Sequence, residues 1–339
     1  MQASKSESPP LVTILMPVCD GERFLQEAID SILVQTFTGF EFLILDDASA
    51  DSSRSIVLGY DDPRIRLLAN DRNLGVTRTL NRGIQQARGR YLARMDADDI
   101  SMPERLERQV AHLDANPDCA VVTTFAQIID THSMPQGEAR VDLSPEELDR
   151  VLQRGNRLVH GAVMMRADVV RRVGAYDESM KRAQDYDLWL RISDEHAIHT
   201  LPGLLYSWRQ HDQGISSLHA DEQDRYAAQA RDSARRRRID RVLARLREGQ
   251  LSAAEGTRIV MRRMRDEDEF RALRRDRRDL ISRLRNRIPA LDALCYAITE
   301  RRRLREVSEI IRSYAIGARD VESPRDRLAA LVEGVSPLD

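Results

Sequence analysis

RYLARMDADD, at residues 90–99, is the stretch around which the rest of the chain is arranged. Its apolar run, Tyr91–Met95, is long enough for one buried strand. The run ends in Asp96-Ala97-Asp98-Asp99, and carboxylates this close together repel one another unless a cation or a strong donor compensates them. Two interpretations stay open. The carboxylates hold a hard divalent cation and through it a diphosphate, or they form an acidic turn in which Asp99 or Ser101 caps the next helix.

Strand and helix patterns alternate outward from this stretch. Leu11–Val18 and Phe40–Asp47 are continuous apolar runs with a helical pattern at 24–35 between them, which is the spacing of a β-α-β unit in a parallel sheet. Further strands are predicted at 64–68, 119–126, 161–166 and 200–209, and further helices at 51–60, 77–87, 103–115, 145–153, 167–173 and 183–195. We therefore expect an α/β fold whose mostly parallel sheet has helices on both faces, with the remainder of 127–158 irregular.

Acidic and small polar side chains follow each of the early strands. The first strand ends in Pro17–Gly21, the second in Asp46–Ser49, and a later one in the DADD segment. Because the carboxyl ends of parallel strands share one edge of a sheet, these side chains are expected to line one crevice. Neither GxGxxG nor GxxxxGK[ST] follows the first strand, which argues against dinucleotide and P-loop cradles and leaves a metal ion to hold phosphate charge.

Charge is distributed unevenly along the 339 residues. Residues 1–220 carry 24 basic and 33 acidic side chains, whereas residues 221–339 carry 29 basic and 22 acidic ones. This asymmetry predicts two parts with different partners. We expect a disordered leader at 1–10, an α/β catalytic domain at 11–220 and an arginine-rich helical region at 221–339.

Cysteine usage and hydropathy indicate the compartment. Cys19, Cys119 and Cys295 are far apart and do not show the spacing of a metal site, which predicts free thiols in a reducing environment. Residues 1–10 lack the apolar core of a secretory signal, and no run approaches the ~20 apolar residues of a membrane span. We expect a cytoplasmic protein. Any association with the cell membrane is expected to be peripheral and at its inner face.

Four segments of the chain occur in the order and at the intervals of a known family. They are TILMPVCDGERFLQEAIDSILVQT, LILDDASADSS, NDRNLGVTRTLNRGIQQARGRYLARMDADD and QDYDLWLR, within roughly residues 11–217. In them the chain resembles the inverting glycosyltransferases of family 2, which have the GT-A fold. The resemblance implies Mn²⁺ or Mg²⁺ as cofactor and a nucleotide-diphosphate sugar donor, with UDP- or dTDP-sugars favoured. It also implies a glycan or lipid-linked acceptor hydroxyl, in bacterial surface polysaccharide or glycolipid assembly.

The resemblance assigns a nucleotide-binding set to the strand ends. Its members are Pro17, Val18, Asp20, Asp47, Arg72 and Asp96. The first two are expected to line the base pocket, Asp47 to hydrogen-bond the base, and Asp96 to contact the ribose. Arg72 is expected to reach the nucleotide or its phosphates. Cys19 stands where the family often has a tyrosine, which removes an aromatic surface for stacking on the base.

The resemblance also assigns the chemistry. It places the metal at Asp98 and His211, with His211 near the diphosphate, and it gives Asp185 the role of the base that takes the proton of the acceptor hydroxyl. A structural interpretation of Asp185 and Asp187 stays open, because both begin a predicted helix, where the dipole favours negative charge. A lone histidine such as His211 is also commonly a hydrogen-bonded surface residue.

The arginine-rich region, 221–339, has several interpretations. Its helices pack on the catalytic domain or on another subunit of a homo-oligomer, or they form a basic amphipathic surface that docks on anionic lipid. Nucleic acid is not expected as a partner, because aromatic residues are sparse and the arginines are mixed with acidic residues.

Two other functions compete with sugar transfer. A sugar nucleotidyltransferase shares the acidic crevice, but it normally has a glycine-rich loop with a basic residue after the first strand, which Cys19–Glu22 does not provide. A catalytically silent subunit that binds nucleotide and serves in assembly is the second alternative.

Overall fold

The computed structural model describes residues 9–211, 220–248 and 250. Its strands are β1 (Val12–Val18), β2 (Phe40–Asp46), β3 (Ile65–Ala69), β4 (Tyr91–Arg94), β5 (Ile100–Ser101), β6 (Cys119–Ile129), β7 (Pro135–Ala139), β8 (Met164–Arg166) and β9 (Ala197–Arg209). Its helices are α1 (Leu25–Leu33), α2 (Ser53–Leu58), α3 (Val76–Gln86), α4 (Arg105–Ala115), α5 (Pro145–Leu152), α6 (Ala167–Arg172), α7 (Gln184–Ile192) and α8 (Ala220–Arg247), with a 3₁₀ turn at His160–Ala162. All the strands and helices expected between 11 and 209 are present, with ends that differ by up to three residues.

The strands form one mixed sheet in the order β3-β2-β1-β4-β8-β6-β9-β5, with β7 paired to β6. The half made of β3, β2, β1 and β4 is parallel, with Val12 opposite both Phe40 and Tyr91. In the other half β8 runs antiparallel to β4 and β6, and β6 runs parallel to β9. The expected α/β fold is confirmed, and the antiparallel pairs of the sheet are those made by β5, β7 and β8.

The sheet is covered on both faces, which explains the continuous apolar runs of its central strands. Alternate residues of β1 enter different apolar clusters, Ile14 and Met16 on one face and Leu15 on the other. Helices α1 and α4 pack on the first face, and α3 and α7 pack on the second. This arrangement leaves the carboxyl ends of β1, β2 and β4 at one uncovered edge of the sheet.

The segment 127–158 contains a strand that the sequence pattern did not indicate. Strand β6 continues to Ile129 and turns back into β7, whose sequence PQGEA is almost entirely exposed. It pairs with β6 through backbone hydrogen bonds, and its side chains carry no β-branched or apolar period to reveal it. The helix expected in this segment is confirmed as α5, with Ser144 and Glu147 forming a capping box.

Neither Asp99 nor Ser101 caps helix α4, so that interpretation of the acidic segment is wrong. The helix begins at Arg105, and its N-cap residue, Glu104, makes no side-chain cap. Ser101 instead lies in the short strand β5, where its hydroxyl accepts a hydrogen bond of 3.0 Å from Gln35 Nε2.

The chain divides into two compact units, Met1–Ala234 and Arg235–Asp339. The second unit is described only at 235–248 and 250 and is helical as far as Arg247. The arginine-rich segment beyond 250 and the leader at 1–8 lie outside the described residues, so the interpretations placed on them stay predictions. Among the residues that the structure does describe, no helix combines the length and apolarity needed to cross a bilayer.

The buried carboxylate of Glu41 connects three neighbouring strands at the amino edge of the parallel half. It lies on β2 opposite Thr13 of β1 and accepts a hydrogen bond of 2.7 Å from the Thr13 hydroxyl. It also accepts from the backbone N–H of Arg88 at 2.7 Å and pairs with the guanidinium of Arg66 at 2.6 Å. The Thr13 hydroxyl in turn accepts from Gly89 N–H, just before β4.

We expect Glu41→Gln to lower the free energy of unfolding by about 2 kcal/mol at neutral pH, because hydrogen bonds to a charged group are lost. Burial raises the pKa of Glu41 and the hydrogen bonds lower it, with a net lowering. Its stabilisation is therefore present above the pKa of the unfolded state and is lost as the pH falls through the lower folded pKa. Urea unfolding at neutral and acid pH tests this. The difference between variant and wild type should shrink at acid pH.

Glu178→Gln is the matched control for this variant. Glu178 pairs with Arg78 at the surface, where both side chains are more than half exposed. An exposed pair contributes at most about 1 kcal/mol, so this variant should unfold almost as the wild type does. Equal effects of the two substitutions would show that the buried carboxylate has no special structural role.

Candidate active site

The loops that follow β1 and β2 are joined at the uncovered edge of the sheet. The backbone N–H of Asp20 donates to Ser49 Oγ at 3.0 Å, and one Asp20 carboxylate oxygen accepts from Ala50 N–H at 2.7 Å. Asp20 has a φ of 52°, a conformation that aspartate tolerates better than most residues. Pro17 and Val18 precede it at the end of β1, and Val18 is buried.

Asp47 holds the loop before α3 against the end of β2. Its carboxylate accepts hydrogen bonds from the backbone N–H groups of Leu74 and Gly75, both at 2.8 Å, and from Asn70 Nδ2 at 2.7 Å. Much of its hydrogen-bonding capacity is thus used inside the protein. Arg72 is exposed on the same loop and lines an open depression with Arg82 and other residues of the loop.

Asp96 lies at the end of β4 among buried polar groups. Its Oδ1 accepts from the Arg94 guanidinium at 2.5 Å, and its backbone N–H donates to the hydroxyl of Tyr206 at 3.1 Å. Burial and the neighbouring Asp98 raise the pKa of Asp96, while Arg94 opposes the rise. Arg94 itself is buried and also donates to the backbone oxygen of Met95. The guanidinium therefore compensates one of the three adjacent carboxylates.

Asp98 meets His211, which is 113 residues away in the chain. Asp98 Oδ2 lies 2.9 Å from His211 Nε2, and the Asp98 side chain is 37% exposed, whereas that of His211 is 15% exposed. The imidazole ring packs beside the ring of Phe24, with centroids 5.6 Å apart. Of the three carboxylates, this is the one that meets an imidazole at the accessible surface of the crevice.

Asp99 turns inward and anchors the end of β9. It is 1% exposed, and its Oδ1 accepts from the backbone N–H of Arg209 at 2.7 Å. The Arg209 side chain donates from Nε to the backbone oxygen of Asp98 at 2.7 Å and pairs with Glu27 at 2.5 Å. Burial, with the nearby charges of Asp98 and Asp96, raises the pKa of Asp99 well above its usual range. Asp99 thus holds the end of β9 in place and is not accessible to solvent.

Asp185 occupies the first turn of α7, as expected, and is 9% exposed. Ala183, the N-cap residue two positions before Asp185, has a φ of 52°, so the chain turns sharply into the helix. Asn156 Nδ2 donates to Asp185 Oδ2 at 2.7 Å. Burial raises the pKa of Asp185, and the negative charge of Asp96 adds to the rise. Asp187, two residues further along, pairs instead with Arg191 at 2.7 Å.

Several residues around these carboxylates were not indicated by the sequence pattern. Gly161 is one of them: a Cβ built on it would lie 2.0 Å from the hydroxyl of Tyr206 and 2.8 Å from Asp96 Oδ2. His160 Nε2 lies 2.7 Å from the hydroxyl of Tyr176, and burial together with Arg94 lowers the pKa of His160 well below its usual range. A histidine next to a glycine after an irregular segment was the one available signal in the sequence.

Comparison with known proteins identifies a family and several relatives of this chain. The model of the family described as glycosyl transferase family 2 matches residues 13–174. The chain is 36% identical over 193 residues to the putative glycosyltransferase EpsE of Bacillus subtilis, which covers 56% of this chain and 68% of that protein. It is 32% identical over 210 residues to the uncharacterized glycosyltransferase MJ1057 of Methanocaldococcus jannaschii, covering 59% of this chain and 71% of that protein.

The fold also matches a solved structure. A crystal structure of S. aureus TarS, residues 1–349, in complex with UDP-GlcNAc has a TM-score of 0.55 to this chain and covers 90% of each chain. The two sequences are 15% identical, so the likeness concerns the fold alone.

We expect Gly161→Ala to destabilise the protein by about 1–3 kcal/mol, because the new methyl group must displace the Tyr206 hydroxyl from the backbone of Asp96. Gly155→Ala is the control, since no atom lies within 4 Å of a Cβ at that position. It should be neutral or slightly stabilising. Urea unfolding of both variants measures the difference. Equal stabilities would mean that Tyr206 does not hold Asp96.

Proposed function

Given that the chain belongs to glycosyltransferase family 2 and is a glycosyltransferase, we propose that its crevice takes a nucleotide-diphosphate sugar and inverts the anomeric carbon. The observation that carries this proposal is the contact of 2.9 Å between Asp98 and His211. It brings two metal-ligating groups from distant parts of the chain to the carboxyl edge of the sheet, where α/β folds bind ligands. Membership of glycosyltransferase family 2 argues against the alternative function, that of a sugar nucleotidyltransferase.

The donor set fits a divalent cation. Asp98 Oδ2 and His211 Nε2 are separated by 2.9 Å, which is the spacing of adjacent ligands on an octahedral ion with bonds of about 2.1 Å. The exposure of Asp98 leaves room for water and diphosphate oxygens as the other ligands. An imidazole nitrogen is a softer ligand than Mg²⁺ usually takes, so we favour Mn²⁺. When bound, the cation supplies positive charge to the diphosphate.

The nucleotide is proposed to lie across the joined loops at the ends of β1 and β2. Pro17 and Val18 supply an apolar surface for the base, and Asp47 retains lone pairs beyond those used by Asn70 and the loop backbone. Asp96, at the head of the acidic segment, is proposed to contact the ribose. We favour a uridine donor because TarS, which shares the fold, was crystallised with UDP and with UDP-GlcNAc.

Asp185 is proposed as the catalytic base. Asn156 orients its carboxylate, and burial raises its pKa, which makes it a stronger base than an exposed aspartate. Asp185 accepts the proton of the acceptor hydroxyl while that oxygen bonds to the anomeric carbon. The bond from this carbon to the diphosphate breaks on the opposite face, and the electron pair leaves with the diphosphate. The acceptor is proposed to be a hydroxyl of a glycan or of a lipid-linked saccharide.

Nucleotide binding should depend on the cation and on Asp98. We expect UDP to bind more tightly with Mn²⁺ than with EDTA, and Asp98→Asn to remove this difference. Calorimetry with UDP, dTDP, GDP and CDP measures it, and Asp168→Asn, an exposed surface aspartate, is the control. If the nucleotide binds the wild type equally well with and without cation, the proposed metal site is refuted.

Substitution of the base should slow turnover without loss of nucleotide binding. We expect Asp185→Asn to reduce kcat about 10²–10⁴-fold, which is the usual contribution of a positioned base. Wild-type kcat should fall as the pH drops through the raised pKa of Asp185, and this acid limb should vanish in the variant. Sugar transfer or donor hydrolysis across pH measures both effects.

Asp187→Asn is the matched control in the same helical turn. Asp187 is buried and paired with Arg191, so its loss should lower stability and leave kcat near the wild-type value. A variant at 187 that loses turnover while the variant at 185 retains it would reverse our assignment. A wild-type protein that binds nucleotide but releases no sugar would favour the silent assembly subunit.

A further inference from the structure

A second group of metal-ligating side chains lies away from the crevice. It consists of His112 in the last turn of α4, Cys119 at the start of β6 and His199 near the start of β9. One ligand atom from each lies within 4.8 Å of the others, and His112 Nε2 is 3.1 Å from His199 Nδ1. His199 precedes Arg209 by ten positions in β9, which is roughly 30 Å along an extended strand.

We propose that His112, Cys119 and His199 form a zinc site that cross-links α4, β6 and β9. The three donors, two imidazole nitrogens and one thiolate, are the ligands that Zn²⁺ prefers. With Zn–N bonds of about 2.0–2.1 Å and a Zn–S bond of about 2.3 Å, neighbouring ligands of a tetrahedral ion are about 3.3–3.6 Å apart. The separation of 3.1 Å between the two histidine nitrogens is close to these values, and no two of the three ligand atoms are more than 4.8 Å apart.

A bulge in β6 places the cysteine on the required face. Cys119 pairs with Ala197 and Val122 pairs with His199, so three steps along β6 match two along β9. Cys119 and Val122 therefore both belong to the apolar cluster against which α4 packs, whereas Val121 belongs to the cluster on the opposite face. Without the additional residue, Cys119 and Val122 would point to opposite sides of the sheet.

Hydrogen bonds hold two of the ligands in place before any ion binds. The guanidinium of Arg166 donates to the backbone oxygens of Leu113 at 2.6 Å and of Cys119 at 2.8 Å. Asn116 Nδ2 donates to the backbone oxygen of His112 at 2.8 Å. The turn between α4 and β6 is thus braced from both sides, as expected for a site whose ligands must hold their positions.

Metal binding requires neutral imidazoles and a deprotonated thiol. Burial and the neighbouring His199 lower the pKa of His112, so its imidazole is neutral and able to coordinate. Burial raises the pKa of Cys119 to about 12, so the thiol keeps its proton until an ion replaces it. On binding, this proton passes to solvent and the hydrogen bond from Cys119 Sγ to Val121 O is lost. The half-buried histidines leave the fourth position to water.

The test uses the full chain without a histidine tag and with Asp98→Asn, so that the crevice contributes no competing cation site. After dialysis against a chelator, Zn²⁺ is titrated against a chromophoric competitor. We expect one tightly bound Zn²⁺, and we expect Cys119→Ser and His199→Gln each to weaken it by more than the ~10–100-fold typical of losing a supporting contact. The control is Cys19→Ser with Cys295→Ser, which leaves Cys119 as the one cysteine of the chain and should bind normally.

Substitution with Co²⁺ gives a second readout. A thiolate-to-cobalt charge-transfer band should appear in the parent and in the Cys19/Cys295 double variant, and it should be absent from Cys119→Ser. Zn²⁺ should also raise the Tm of the parent but not that of His112→Asn, which tests the site even if Cys119→Ser does not fold. If the parent retains no Zn²⁺, or if Cys119→Ser binds it equally well, the three residues form only a hydrogen-bonded histidine pair beside a buried thiol.

Discussion

The candidate site depends on the contacts that the buried side chain of Arg209 makes. Its guanidinium lies 4.5 Å from the centre of the Phe24 ring, pairs with Glu27 at the start of α1, and donates to the backbone oxygens of Asp98 and Asp130. One cation at the end of β9 thereby connects the acidic segment, helix α1 and the β6–β7 hairpin. The position of His211, two residues later, follows from this anchorage.

Three adjacent carboxylates are stable together because each has a different partner. Asp96 has the buried Arg94, Asp99 has the backbone of Arg209, and Asp98 alone meets an imidazole at the accessible surface. Asp99 is buried in the low-dielectric interior, where an unpaired charge would be costly. Arg94 thus compensates Asp96, burial raises the pKa of Asp99, and Asp98 meets His211 in the crevice, where a ligand can complete its surroundings.

The sequence predicted those features that arise from local patterns. Apolar runs located β1, β2 and β4, and the rule for the edge of a parallel sheet predicted that Asp20, Asp47 and Asp96 follow strand ends at one edge, as the neighbouring positions of the three strands confirm. The family resemblance, carried by four ordered segments, is confirmed by the family model and the curated relatives. The roles of the individual residues stay predictions.

What the sequence could not predict depends on contacts between distant segments. Asn156 orients Asp185 from an irregular loop, and Gly161 is required by the approach of Tyr206 from another strand. The expectation that no cysteine has metal-binding spacing holds within the linear sequence. In the folded sheet, however, a bulge brings Cys119 beside histidines from two other elements. Spacing along the chain detects only ligands that share an element or a loop.

Strand β9 carries a further consequence, because it presents His199 near one end and Arg209 at the other. Side chains alternate between the faces of a strand, so inserting or deleting one residue in β9 would turn one of these two ends to the wrong face. A substitution in β9 alters a single position, whereas a change of length turns either the His199 end or the Arg209 end of the strand to the other face. In the evolution of this chain, we expect the length of β9 to vary far less than its composition.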